Sequence, residues 1–172
     1  MNGSVFPGRR GSSGGFGPLR VPDEPGGDRL VDHASLVVLE RMIADSGGDP
    51  LLQIYSEDSD WGAIEPLVQT WMSRAGRSLA HAIISTLAVI DFEAVIIDGA
   101  FPPNIRDRLV GEVERQLDRL DMQGIVRPEI KPGHFGSIAR ALGAAAHQIS
   151  TEYMIDQNTL LRQNGSAPRA IL

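Results

Sequence analysis

The chain has no cysteine, which excludes disulfides, thiol catalysis and thiolate zinc sites. Positive charge is not in excess either: the formal net charge is −6 and the pI is near 5.1. Without a basic field, direct binding to nucleic-acid phosphates is not expected. No apolar run approaches the roughly 20 residues of a membrane span, and none has the form of a signal peptide. We therefore expect a cytoplasmic protein that contacts no membrane.

Recognisable catalytic and metal-binding motifs are also missing. The sequence has no nucleophile elbow, Walker loop or dinucleotide fingerprint. Its histidines, His33, His81, His134 and His147, include no pair at the spacing that places two ligands on one helical face. The acidic run at residues 57–60 precedes a helix, where it can cap the helix and complement its dipole. We expect no metal site.

The apolar content is sufficient for one domain, at 42% of 172 residues. Residues 1–28 hold eight glycines and four prolines, a composition that predicts short strands joined by turns, with "SVF" and "PLRV" as the strands. This segment is either a disordered leader or a ligand-contacting loop system. Residues 29–172 are expected to form the remainder of a single α/β domain.

The rest of the chain alternates helical and strand patterns. Apolar residues at helical spacing predict helices in four segments: residues 33–48, ended by glycines; 60–92, long, mostly buried and capped by Asp60; 104–120, after two prolines; and 137–155. "AVIID", residues 94–98, is β-branched without alternation, which is typical of a central strand covered on both faces. "GIVRPEIKP" predicts a shorter edge strand because of Pro128. This order predicts a layered α/β fold.

Two glycine-containing segments are candidate binding loops: "GRRGSSGGFG", residues 8–17, and "VIIDGAFP", residues 95–102. Glycine lets backbone amides approach an anion or a sugar without a Cβ in the way. Tight turns use the same residues, so spacing alone leaves both interpretations open.

Four blocks, in order, resemble the carboxy-terminal half of the ROK family of repressors, open reading frames and sugar kinases. They are "GSSGGFG", "LVDHASLVVLERM", "LAHAIISTLAVIDFEAVIIDGAFP" and "SIARALGAAA". The resemblance covers nearly the whole chain. It implies the second lobe of an actin-like ATPase, or ribonuclease H-like, fold, in which helices pack on a mixed sheet.

The resemblance assigns a sugar-binding role to the first glycine segment and implies that this role is degenerate. The loop corresponds to Gly14, Gly15, Gly17 and Pro18. Gly15 stands where the family has a sugar-binding glutamate, and Pro18 where it has a histidine that serves both sugar and zinc. "RVPDEPGGDRL" replaces the family's cysteine-rich zinc loop, so zinc is not expected to bind in the family manner.

The resemblance also places the second glycine segment near the adenosine of ATP, at Asp98, Gly99 and Ala100. Asp98 stands where the family has a glycine. A carboxylate there would repel phosphates, or would accept hydrogen bonds from a ribose or sugar. The catalytic aspartate of the family's kinases lies in the first lobe, which has no counterpart among these residues.

These implications favour a sugar-sensing and oligomerisation lobe of a ROK-type transcriptional regulator, without kinase activity and without its own DNA-binding domain. A truncated sugar kinase acting on a hexose or N-acetylhexosamine is the alternative, and ATP and Mg²⁺ would be cofactors only in that case. An α/β oligomerisation module without a ligand is a third hypothesis. The expected partners are a small-molecule sugar and further copies of the chain in a homo-oligomer such as a dimer.

Overall fold

The computed structural model describes residues 8–24 and 27–153, which divide into two compact units. The larger unit comprises residues 14–136. The smaller unit combines residues 8–13 with 137–153, and its main element is helix α5 (Ala139–Tyr153). The sequence predicted this helix and its small residues. The predicted strand "SVF" lies outside the described residues.

The larger unit contains four strands and four helices. In chain order these are β1 (Arg20–Glu24), β2 (Gly27–Arg29), α1 (Val31–Ala34), α2 (Leu36–Asp45), α3 (Glu65–Leu87), β3 (Ala94–Ile97), α4 (Pro103–Leu117) and β4 (Glu129–Pro132). One turn of π-helix (Leu51–Tyr55) lies between α2 and α3, and a 3₁₀ turn (Gly136–Ile138) precedes α5. The predicted succession of helices and strands is confirmed.

Local signals set both ends of α2. The glycine stop was predicted from the sequence, but the start was not: the predicted helix began at His33, whereas the chain breaks at Ser35 between α1 and α2. The Ser35 hydroxyl oxygen accepts a hydrogen bond from the Val37 N–H at 3.2 Å, which caps the first turn. At the other end the Gly47 N–H donates to the Ala44 carbonyl and the Gly48 N–H to the Ile43 carbonyl, both at 2.9 Å. Gly47 has a φ of 84°, the left-handed conformation in which glycine carries no steric penalty.

Helix α3 begins later than the sequence predicted. Asp60 does not cap it: the carboxylate instead accepts a hydrogen bond from the Gly62 N–H at 2.9 Å, in a turn that precedes the helix. The helix starts at Glu65 with Pro66 in its first turn, where a missing N–H has no cost. Most of its predicted apolar face is buried, including Trp71. The helix also ends earlier than predicted, at Leu87, and Ile90 beyond it is exposed.

Helices α3 and α4 pack closely and form the centre of the core. A Cβ at Gly76 would overlap the Cγ of Glu112, so glycine permits the close approach of the two helices. Glu112 is itself buried, and its carboxylate accepts hydrogen bonds from Gln116 Nε2 at 2.6 Å and from Arg115. The predicted apolar stripe of α4 also faces this core: Ile105, Leu109, Val113 and Leu117.

The strands form two small sheets. β1 and β2 are antiparallel, whereas β3 and β4 are parallel with Ala94 opposite Glu129 and Ile97 opposite Pro132. Val95 and Ile97 face the core, but Ile96 on the opposite face is 69% exposed. The prediction that this strand is covered on both faces is therefore not met within the described residues, because Ala94 and Ile96 are exposed on one of them.

Candidate functional site

The turn after β3 is held by the side chain of Asp98. Its Oδ2 accepts hydrogen bonds from the backbone N–H groups of Phe135 at 2.9 Å and Gly136 at 3.1 Å, and its Oδ1 accepts one from Gly99 at 2.9 Å. Asp98 thus connects the β3–α4 turn to the loop that follows β4. A Cβ at Gly133 would lie 2.5 Å from the Asp98 Cβ, so that loop needs glycine to approach the turn.

Arg106, near the start of α4, completes this arrangement. Its Nε lies 3.1 Å from Asp98 Oδ1, as an ion pair without hydrogen-bond alignment. One terminal nitrogen donates to the Gly133 carbonyl at 2.8 Å and the other to the Phe101 carbonyl at 3.4 Å. The Arg106 side chain is only 8% exposed, so its charge acts in a poorly solvated environment.

Asp98 is held in its charged form. Burial alone raises the pKa of this carboxyl group, but the hydrogen bonds from Gly99, Phe135 and Gly136 and the charge of Arg106 lower it by more. The net result is a pKa of Asp98 below the ordinary value for aspartate. The carboxylate stabilises the turn and is already engaged by protein groups.

The ring of Phe101 constrains the turn at Gly99. A Cβ on Gly99 would overlap Cε1 of Phe101, and the Phe101 N–H donates to the Gly99 carbonyl at 2.9 Å. The Phe101 ring in turn meets Trp71 edge-to-face, with a 6.0 Å centroid separation. The tightness of this turn therefore extends into the core.

The predicted sugar-binding loop is held differently, by main-chain contacts. The Phe16 N–H donates to the Gly14 carbonyl at 2.9 Å, and the Val31 N–H donates to the Gly17 carbonyl at 3.0 Å. Gly14 has a φ of 78°, and no atom lies within 4 Å of the position that a Cβ would take there. Gly14 and Gly15 are exposed, and Pro18 follows in the next turn.

Both glycine segments contribute residues to the wall of a cavity of about 480 Å³. Of the predicted site residues, Asp98 lines it directly. The first loop contributes Phe16, which lies between the predicted glycines, and the turn contributes Phe101. Gly14, Gly15, Gly17, Pro18, Gly99 and Ala100 are not part of its wall.

The chemistry of the cavity wall is mostly apolar, with side chains from α3 and the whole of β3. Its polar groups are few. The Thr86 hydroxyl donates to the Ala82 carbonyl at 2.7 Å, and the Asp98 carboxylate is engaged as described above. The cavity is large enough for a small ligand, but its side chains offer little to orient sugar hydroxyls.

Two residues of this region were not predicted from the sequence: Arg106, which pairs with Asp98, and Phe16, which lines the cavity. Arg106 occupies a position of the buried α4 stripe, four residues before Val110, and a lone arginine in such a stripe indicates a buried charge partner. Phe16 is an aromatic residue among glycines, which could have marked the loop as packing against the fold. The remote amides of Phe135 and Gly136 leave no sequence signal that pairs them with Asp98.

Neither a metal-binding cluster nor a membrane-spanning helix is found in the part of the chain that the structure describes. Among residues 8–24 and 27–153, no cluster of three or more histidine or carboxylate side chains could hold a metal ion. Over the same ranges, none of the helices has both the length and the apolar character needed to cross a bilayer.

The described elements define an α/β protein whose fold is matched in known structures. No protein-family model matches the chain, and no curated protein matches it. A ROK family protein from Streptococcus pneumoniae TIGR4, solved in complex with sucrose, superposes with a TM-score of 0.65 at 22% identity, over 90% of this chain and 54% of that one.

Two sugar-kinase structures are similar as well. The ROK hexokinase from Thermus thermophilus gives a TM-score of 0.55 at 23% identity, over 84% of this chain and 50% of that one. A putative sugar kinase from Cytophaga hutchinsonii gives 0.59 at 16% identity, over 87% and 52%. The predicted actin-like ATPase fold is confirmed, and the chain spans about half the length of these proteins.

Proposed function

We propose that this chain is the carboxy-terminal, sugar-sensing half of a ROK-type transcriptional regulator that does not phosphorylate its sugar. In this proposal the half contributes to a sugar site and to self-association, and a DNA-binding domain belongs to other sequence. The fold supports the assignment to a ROK-like half, and one of the similar proteins was solved with sucrose.

We infer the absence of kinase activity from the charge and the hydrogen bonds of Asp98. The family resemblance places this turn beside the adenosine of ATP, and here it bears a carboxylate with a lowered pKa. A fixed negative charge opposes the approach of nucleotide phosphates, although Arg106 compensates part of it. Since the carboxylate oxygens already accept backbone hydrogen bonds, they are poorly placed to bind a ribose.

The alternative is half of a sugar kinase. This alternative is supported by two of the similar structures, which are a hexokinase and a putative sugar kinase. Its catalytic aspartate would come from the other half of the fold, so ATP and Mg²⁺ would bind across both halves.

A thermal-shift titration tests the proposal. The purified chain is titrated with hexoses and N-acetylhexosamines, with and without ATP and Mg²⁺. Mannitol at equal concentration controls for the general stabilisation that polyols give by exclusion from the surface. A ligand that binds only the folded state must raise the Tm.

We expect a saturable rise in Tm with at least one sugar, beyond that of mannitol, and no response to ATP and Mg²⁺. A rise in Tm that depends on ATP and Mg²⁺ would instead favour the kinase alternative. A chain that responds to no sugar in the panel would contradict sugar sensing and favour the oligomerisation module.

A further inference from the structure

The cavity described above lies where two apolar clusters of the larger unit meet. One cluster is small, with Val21, Leu30 and Ala82 as its buried members, and the other is the main core around α3 and α4. Ala34 and Leu79 pack against both clusters, and both residues line the cavity. The cavity is therefore a gap between two parts of the apolar interior.

The wall of the cavity is buried at its base and exposed at its rim. Ile83 of α3, Ile97 of β3 and Leu109 of α4 line it, and each is at most 7% exposed. Phe16 also lines the cavity but is 48% exposed, so it belongs to the rim that faces solvent. A small molecule at the base would contact three different elements, as in a concave ligand site.

The cavity has two polar side chains in its wall, and both already bond to protein groups. The Thr86 hydroxyl donates to the Ala82 carbonyl at 2.7 Å. The Asp98 carboxylate accepts hydrogen bonds from three backbone amides and lies beside Arg106. A sugar hydroxyl or a charged group buried here would exchange its hydrogen bonds to water for an apolar surface, which is unfavourable.

Aromatic rings reach the cavity from three segments of the chain. Phe16 belongs to the loop, Phe92 precedes β3 and Phe101 follows it. Rings favour offset or edge-to-face contact with another aromatic group. The volume of about 480 Å³ lies within the roughly 300–1,000 Å³ of small-molecule sites, and an apolar wall gives water few partners. We propose that the cavity binds a neutral, mainly apolar small molecule that carries an aromatic ring.

Phe16 is suited to closing the cavity over this ligand. Gly14, Gly15 and Gly17 surround it in the sequence, and its main chain makes only neutral hydrogen bonds: its N–H donates to the Gly14 carbonyl and its carbonyl accepts from the Leu19 N–H, both at 2.9 Å. A small shift of the loop would bring the Phe16 ring onto a bound molecule without disturbing a charged group. This proposal is independent of sugar sensing and of kinase activity.

The neutral probe N-phenyl-1-naphthylamine provides the test, since its fluorescence rises in apolar surroundings. Added to the purified chain, it should bind saturably at one site. The anionic analogue 1-anilinonaphthalene-8-sulfonate carries a sulfonate that would lose hydration beside the charge of Asp98, and should bind at least about tenfold more weakly. Hexoses should not displace the neutral probe, so the sugar titration and this one succeed or fail separately.

A matched pair of variants locates the probe. Thr86→Phe fills the cavity and should weaken binding of the neutral probe by at least about tenfold. Thr70→Phe is the control: Thr70 is exposed on the same helix, donates to the Pro66 carbonyl at 2.9 Å as Thr86 does to Ala82, and does not line the cavity. This variant should bind the probe as wild type.

Two milder variants decide the matter if Thr86→Phe fails to fold. Phe16→Ala removes a ring from the rim and should weaken binding of the neutral probe by about three- to tenfold. Thr86→Val keeps the shape of the side chain and removes only its hydroxyl, so binding should be unchanged or tighter.

Four results would overturn the proposal. They are no saturable binding of the neutral probe, equal binding of its anionic analogue, binding that neither Thr86→Phe nor Phe16→Ala weakens, and displacement of the probe by a hexose. Displacement by the polypeptide encoded next to this chain in its own genome would also overturn it, because the cavity would then be filled by protein.

Discussion

The loop at residues 14–18 and the turn at residues 98–101 are both glycine-containing and both border one cavity, but they are held in different ways. The loop uses main-chain hydrogen bonds and contributes one side chain, Phe16. The turn is fixed by a carboxylate that binds three backbone amides and a buried arginine. Side-chain contacts between residues 37 positions apart therefore stabilise the turn, whereas the loop relies on neutral main-chain hydrogen bonds, one of them from Val31.

Of the two segments, the loop can adapt to a ligand more readily than the turn. Moving the turn would break several charge-assisted hydrogen bonds at once, and such bonds are stronger than neutral ones. Moving the loop would break only neutral bonds near the surface. We therefore expect substitutions in the turn to affect folding and substitutions in the loop to affect mainly local conformation.

The largest effect is expected for Asp98→Ala. It leaves the amides of Gly99, Phe135 and Gly136 without their acceptor and the buried charge of Arg106 without its partner, which should cost about 3–5 kcal/mol of unfolding free energy. Urea denaturation followed by circular dichroism measures this. Asp107→Ala, on the exposed side of α4, is the control and should change stability by less than about 0.5 kcal/mol. Equal effects would contradict the role of Asp98.

Gly99→Ala should have the next largest effect. The new methyl group would overlap the Phe101 ring, which packs against Trp71, and overpacking of this kind costs about 1–3 kcal/mol. The same substitution at Gly111, in the middle of α4 with no atom within 4 Å of its Cβ position, should instead stabilise the chain by up to about 1 kcal/mol. Thermal unfolding gives the Tm of both variants. A Gly99→Ala variant with the Tm of the wild type would contradict the close contact between position 99 and the Phe101 ring.

A smaller effect is expected from pH. Because the pKa of Asp98 is lowered in the folded state, its contribution to stability is complete above the unfolded pKa and is lost as pH falls through the folded pKa. The difference in urea midpoint between wild type and Asp98→Asn should therefore narrow as the pH is lowered through the acidic range. A difference that is independent of pH would mean that the charge of Asp98 is unimportant.

The smallest effect is expected in the loop, for Gly14→Ala. Its φ of 78° disfavours any side chain, at a cost of about 1 kcal/mol, although the surrounding space is open. Gly17→Ala is the matched control, since Gly17 has no such φ and its Cβ would meet Val31 at an ordinary 3.6 Å. It should be neutral or slightly stabilising. If Gly14→Ala lowered the unfolding free energy as much as Asp98→Ala does, the two segments would not differ in the way proposed.

Much of the fold could be predicted from the sequence because its signals are local. The periodic apolar residues of α3 and α4 and the glycines after α2 identified these elements. The errors occurred where a neighbour decides the outcome: Asp60 was expected to cap α3 but instead closes an earlier turn with Gly62. The predicted role of the loop and turn in ligand binding stays a prediction.

Periodicity and turn chemistry act between residues close in the chain, so the helices, the order of the elements and the resemblance to one half of an actin-like fold follow from the sequence. The role of Asp98 in stabilising a turn and the exposure of Ile96 on β3 arise only when the chain folds. These properties depend on groups such as Arg106, Phe135 and Gly136, which reach Asp98 through folding alone. Their contacts join segments whose separation in sequence carries no information about distance.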